Sequence, residues 1–322
     1  MNDNKRTKFH ITLPILAIIL VVVFVISFFL GRYKFEFSPQ MISVLINIRL
    51  PRILMACLVG CCLSCAGAAY QGVFQNPMAS PDILGASNGA AFGAALGIIL
   101  GLGSKWMTLS AFVISIITVM IVFAIAQKAP GNKVINLILA GIMIGSFFSA
   151  GTSYIKLVAD TTNELPAITY WLMGSLSGVK ISDFNLIVIL AMIIGCTTLV
   201  ALRWKINILT LGDEEASTLG INTRRLRLIV ILAATLVTAA SIAVSGVIGW
   251  VGLVIPHLTR KLVGHDYRKL IPASMFTGAI FLLIVDDISR NLLATEIPIG
   301  ILTAFVGAPF FVYLLIKRDK TL

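Results

Sequence analysis

The sequence predicts an all-α, polytopic membrane protein with about ten transmembrane helices, and three observations lead there. Of 322 residues, 58% are apolar and only 12% are charged, against roughly half and a quarter in soluble domains. Mean hydropathy is +0.99. The apolar residues fall in continuous runs long enough to cross a hydrocarbon core as helices, not in the alternating pattern of a membrane β-barrel. Too little polar chain remains for a separate soluble domain, so residues 1–322 are read as a single transmembrane domain. A soluble enzyme on one anchor is thereby excluded.

Taken in order, spans are expected near 11–30, 52–72, 86–103, 107–126, 134–158, 185–202, 226–245, 247–263, 271–289 and 298–316. The first follows Lys5, Arg6 and Lys8 and superficially resembles a secretory signal. Its apolar run exceeds the usual signal core of roughly 7 to 15 residues and no small-x-small cleavage site follows, so it is read as an uncleaved span. Several spans are rich in small residues, as in GCCLSCAGAAYQG at 60–72, GASNGAAFGAALG at 85–97 and GAIF at 278–281. In lipid, apolar surface gives helices no drive to associate, and small residues let their backbones approach closely. A tight bundle is therefore expected.

Sidedness follows from the basic residues. With the N-terminus inside, seventeen of the 25 Lys and Arg fall in inner connections, and Arg32, Lys34, Arg49, Arg52, Lys105, Lys156, Lys180 and Arg290 fall outside. That bias places both termini in the cytoplasm. It also accounts for the net charge of +11 without nucleic acid. Two connections are long. The inner one, 203–227, has Asp213, Glu214 and Glu215 opening a short helical stretch and Gly220 placed to end it, which reads as a docking element on the cytoplasmic surface. The outer one, 159–183, carries ELPAITYWLMGSLSG and is expected to form a short re-entrant or surface helix.

The chemistry is sparse. Secondary carriers and proton pumps generally need ionisable groups near mid-membrane, yet only Asp286 and Asp287 sit inside an apolar run. Asp286 lies four residues before Arg290, which suits either an intrahelical ion pair or a functional role. Cys57, Cys61 and Cys65 share a helical face, but a run without His or acidic co-ligands favours packing, and no metal site is expected. No HExxH, GxSxG or paired-carboxylate arrangement appears, nor a GxxxxGK[ST] phosphate loop. The chain is therefore not read as an enzyme. An ATP-driven mechanism would need a partner.

Five stretches in order resemble the FecCD family of ABC importer permeases: RLPR at 49–52, GAAYQGVFQNPMASPDILGASNGA at 67–90, LGDEEASTLGI at 211–221, GVIGWVGLVIPHLTRKLVGHDYRKLIP at 246–272 and VDDISRNLLATEIPIGILTAFVGAPFF at 285–311. The resemblance implies a BtuC-like bundle of ten spans acting as the permease subunit of a binding-protein-dependent importer. ATP and Mg would be held by a separate ATPase subunit, with no cofactor on this chain. A second permease copy or a paralogue would complete the pathway.

By the same resemblance, Arg49, Arg52 and Arg290 would receive acidic residues of an extracytoplasmic binding protein. Gly212, Asp213, Glu214, Ala216, Leu219 and Gly220 would couple to the ATPase. Asn76, Pro77 and Met78 would border the cytoplasmic gate. Val134 and Ile135 stand where some relatives carry small polar residues, which points to a hydrophobic constriction. The cargo implied is an iron-siderophore complex, with haem, cobalamin or molybdate as alternatives. The competing class is an ATP-independent carrier or channel.

Overall fold

The computed structural model describes residues 3–31, 39–179 and 185–318. Arg32, Lys34, Lys180 and Lys320, counted above for sidedness, lie outside them. Thirteen α-helices and no strand occur among the described residues. They are α1 (Asp3–Phe29), α2 (Pro39–Val44), α3 (Leu50–Val73), α4 (Ala86–Ile99), α5 (Ser104–Lys128), α6 (Lys133–Val158) and α7 (Glu164–Leu172), then α8 (Leu186–Leu209), α9 (Asp213–Thr218), α10 (Thr223–Ser245), α11 (Val251–Val263), α12 (Tyr267–Asn291) and α13 (Ile299–Arg318). A π-helical turn, Leu45–Arg49, joins α2 to α3, and a 3-10 turn, Pro81–Leu84, precedes α4.

Each of the ten expected spans coincides with a helix, but they are not equal. Seven helical stretches are long and apolar enough to cross a membrane: α1, α2 with α3, α5, α6, α8, α10 and α12. The other three, α4, α11 and the apolar part of α13, are shorter for identifiable reasons. After α3 the chain turns back into the bundle, and Pro81 rests on Gly252 opposite Leu63 of α3. Helix α4 therefore starts already inside. The stretch before α11 is irregular: Gly246 and Trp250 both have positive φ, 67° and 70°, so the predicted span 247–263 becomes helical only from Val251. The chain at 159–179 carries the short helix expected there, α7. Its helix α7 ends against the start of α13 and the end of α10, where Gly300 N–H donates to Met173 O (3.1 Å) and Ser175 N–H to Ser245 O (2.8 Å).

Helix α3 is the axis of the packing. Within an 18-residue apolar window of each span, 78% of the residues in the α2–α3 stretch and 72% of those in α10 are buried, against only 11% in α1 and 22% in α6. Small residues make this possible. A Cβ on Gly60 would strike the backbone of Gly278 in α12, and one on Gly67 the backbone of Gly252 in α11. Tyr70 Oη and Thr235 Oγ1 are hydrogen bonded at 2.7 Å between α3 and α10, so a buried hydroxyl pair is satisfied within the bundle. The cysteines are part of this interior: Cys62 and Cys65 are fully buried, and Cys62 Sγ lies 3.6 Å from Cys196 Sγ of α8. Among the described residues no group of His, Cys, Asp or Glu could hold a metal ion.

Candidate functional site: two ends of the bundle and a groove between them

The three arginines expected on the outer face do converge on one end. They are not free surface cations there. Arg49, Arg52 and Arg290 are only 5%, 7% and 7% exposed. Arg52 meets Asp286 through Nε (3.0 Å) and Nη2 (2.9 Å) and reaches Glu296 through Nη1 (2.9 Å). Arg290 faces Asp286 at 3.8 Å, pairs with Asp287 and donates to Ser27 O at 2.7 Å. Arg49 donates to the carbonyls of Phe28 (3.0 Å) and Phe29 (3.2 Å), where α1 leaves its last C=O groups without helical partners. Three guanidinium groups thus share a region with three carboxylates, and α1, α3, α12 and the connection after α12 are tied together. The intrahelical pair of Asp286 and Arg290 is present, but the closer partner of Asp286 is Arg52. The sequence gave no sign of Glu296 as the third carboxylate.

The opposite end is built differently. Asp266 caps α12, accepting from Arg268 N–H (3.0 Å), and also accepts from Asn207 Nδ2 (3.1 Å), while Tyr267 N–H returns to Asn207 Oδ1 (3.0 Å). Burial alone would raise the Asp266 carboxyl, but hydrogen bonds from Arg268 and its charge hold it below the usual range. Gln75 Nε2 donates to Leu209 O at 2.7 Å, joining the ends of α3 and α8.

Beyond α8 comes the short helix α9, bracketed by Gly212 and Gly220 with φ of 117° and 75°, values that favour glycine. Ala216 is fully buried, so it seats α9 on its own bundle and does not face a partner. Leu211 and Leu219 point outward, 58% and 60% exposed. The side chains of Asp213 and Glu214 lie outside the described residues.

The expected gate residues also sit at this end. Asn76 opens the turn after α3, its Oδ1 accepting Met78 N–H at 2.9 Å, and Pro77 is exposed. Val134 and Ile135 begin α6 under the cap of Asn132, with Ile135 exposed. The segment following Met78 packs on α6 two turns further along: Gly141 takes the backbone of Ile83, and Gly145 takes Gly85 and Asn88. This contact makes a groove that the sequence reading missed, lined by Asp82, Asn88, Ser146, Ser149 and Ser153. Its signal was available, because Ser146, Ser149 and Ser153 recur at helical spacing on an apolar helix.

The sequence profile of the FecCD transport family matches residues 16–317. The chain belongs to the FecCD transport family. The molybdate import system permease protein MolB of Haemophilus influenzae is 39% identical over 203 residues, 63% of this chain and 60% of that protein. The cobalamin import system permease protein BtuC of Halobacterium salinarum is 40% identical over 210 residues, 65% of this chain and 56% of that protein. The chain thus spans less than two thirds of the length of these curated relatives. A solved structure described as an inward-facing metal-chelate type ABC transporter superposes with a TM-score of 0.88 at 39% identity, covering 95% of this chain and 98% of that one. The all-helical permease bundle expected from the sequence is therefore the fold of this multi-pass family member.

Proposed function

We propose that this chain is the membrane-spanning permease subunit of a binding-protein-dependent ABC importer in a bacterial or archaeal cytoplasmic membrane, moving an iron-siderophore complex inward by ATP-driven alternating access. The observation that carries this reading is the superposition, over nearly the whole length of both chains, on a metal-chelate type ABC transporter at 39% identity.

Two copies, or this chain and a paralogue, would enclose the route, and both termini would be cytoplasmic. Each copy would dock one ATPase, which would hold ATP and Mg, through 203–227. In that loop Gly212 and Gly220 set the turns, Ala216 anchors α9, and Asp213, Glu214 and Leu219 meet the partner. Exposed Leu211 and Leu219 support the assignment, since two leucines in a polar connection at one end of the bundle suit a protein contact.

At the other end, the surface around Arg49, Arg52 and Arg290 would receive the binding protein. Arg52 and Arg290 are already engaged in internal ion pairs and Arg49 in bonds to backbone carbonyls, so their part in docking is to hold the shape of that surface and supply its field, which governs orientation and on-rate more than affinity. Asn76, Pro77 and Met78, with Val134 and Ile135, would form an inner constriction of mainly apolar character.

Co-reconstitution of the chain with its ATPase and binding protein in ATP-loaded liposomes tests the proposal. Uptake of a ferric hydroxamate chelate only with both partners and ATP is expected. Uptake of haem, cobalamin or molybdate instead would reassign the cargo. Uptake that follows an ion gradient without ATP would overturn the importer reading in favour of a carrier or channel.

A further inference from the structure

The groove between the Pro81–Leu84 turn and α6 is unusual for its place. Ser146 stands thirteen residues into the 26-residue helix α6, about 20 Å from its start at 1.5 Å per residue, which is mid-depth. From there Ser149 and Ser153 continue along the same exposed face, with Asn88 and Asp82 beside them. Below, the face is apolar, with Ile135, Leu139 and Ile142 exposed. A polar face at this depth finds no hydrogen-bond partners among lipid tails, so it belongs against water or protein.

The hydrogen bonds show what the groove offers. Ser146 Oγ donates to Ile142 O (2.8 Å) and Ser153 Oγ to Ser149 O (3.0 Å), so these hydroxyls spend their protons on their own helix and present oxygen lone pairs outward. Asp82 receives Ser87 Oγ on one carboxyl oxygen and Ser80 Oγ (3.4 Å) on the other. Among the described residues lining the groove, Asp82 is the one ionisable side chain, and no Lys or Arg is present. Oxygen acceptors and a single carboxyl group suit cations and hydrogen-bond donors. The Asn88 amide can donate, but no positive charge is present among these described lining residues to offset the repulsion of an oxyanion by the Asp82 carboxylate.

We propose that this groove lines the transport route at mid-depth and that Asp82 makes it selective by charge, passing neutral and cationic metal chelates in preference to oxyanions. This inference rests on the importer reading and narrows its cargo away from the molybdate class.

The test uses the full chain purified with its ATPase. A thiol is introduced by Ser149→Cys and, as a second position, by Ser153→Cys. Its rate of modification is measured with a cationic trimethylammonium and an anionic sulfonate thiosulfonate reagent of matched length. Each rate is normalised to that of a free thiol in solution and corrected for the chain carrying only its native cysteines. The cationic reagent is expected to be favoured about tenfold, the low end of focusing by a charged cleft, and Asp82→Asn should bring the ratio close to one. Three results overturn the proposal: no modification at either position, equal normalised rates, or a cationic preference that survives Asp82→Asn. A complex that keeps its ATPase but gives one of these results loses this inference and leaves the importer reading standing, whereas a chain that never binds an ATPase fails at the earlier reading.

Discussion

The two ends of the bundle handle charge in opposite ways. At one end Arg52 and Arg290 pair with Asp286, Asp287 and Glu296, Arg49 donates to backbone carbonyls beside them, and the three arginines and Asp286 are buried. At the other, basic residues collect in connections around Arg224, Arg260 and Arg268, and two leucines of a polar loop stand exposed. The first end is organised before any partner arrives. The second leaves apolar and charged groups for a partner to cover. Under the proposed importer reading, a bundle that receives a soluble protein at one end and transmits a pull from the other has use for both, a firm surface and an adhesive one.

The comparison breaks most visibly at Asp286. Asp286→Ala leaves Arg52 and Arg290 buried without their shared carboxylate, and loss of one partner of a buried pair costs about 3–5 kcal/mol. Thermal unfolding in detergent should show a fall in Tm on the order of 10 °C. At the inner end, Leu211→Asp with Leu219→Asp should leave Tm unchanged and weaken ATPase binding at least about tenfold, or about 1.4 kcal/mol, in a pull-down titration. A fall in Tm there would mean that the leucines serve the bundle itself.

Smaller effects sharpen the contrast. Glu296 is 30% exposed in its side chain, so Glu296→Gln should cost less than about 1 kcal/mol, and a loss near that of Asp286→Ala would place it in the buried centre. Asp266 is the mildest case. Its folded carboxyl lies below the usual range because of Arg268, so its stabilisation is present above the unfolded value of about 3.9 and is lost as pH falls through the lower folded value. The Tm gap between wild type and Asp266→Asn should be small and constant from pH 8 to about 5 and should close only below about pH 4. A gap that opens on acidification would contradict the assignment.

Much of this was legible in the residues. Continuous apolar runs located every long helix, and the small-residue segments foretold close helix packing, which the contacts of Gly60 with Gly278 and of Gly67 with Gly252 realise. Composition could not show where a run unwinds. The stretch 247–256 is apolar apart from its glycines, yet positive φ at Gly246 and Trp250 delays the start of its helix to Val251.

Charge counting placed Arg49, Arg52 and Arg290 together, but pairing depends on which side chains fold across from them, and Asp286 is 234 residues from Arg52. Ala216 enters the coupling set by resemblance alone, and only the folded chain shows that it is buried and seats α9 on the bundle. Asp82 went unnoticed for a related reason: it lies in a connection by sequence, and only the return of the chain into the bundle brings it beside α6.

The central claim is that the inner end is completed by an ATPase. The direct measurement is to tag the chain at its C-terminus, extract it gently from its native membrane and identify co-purifying proteins by mass spectrometry. The account predicts a stoichiometric ATPase carrying a phosphate-binding loop, lost when Leu211 and Leu219 are both replaced by Asp. A chain that emerges alone and still transports without ATP would contradict it.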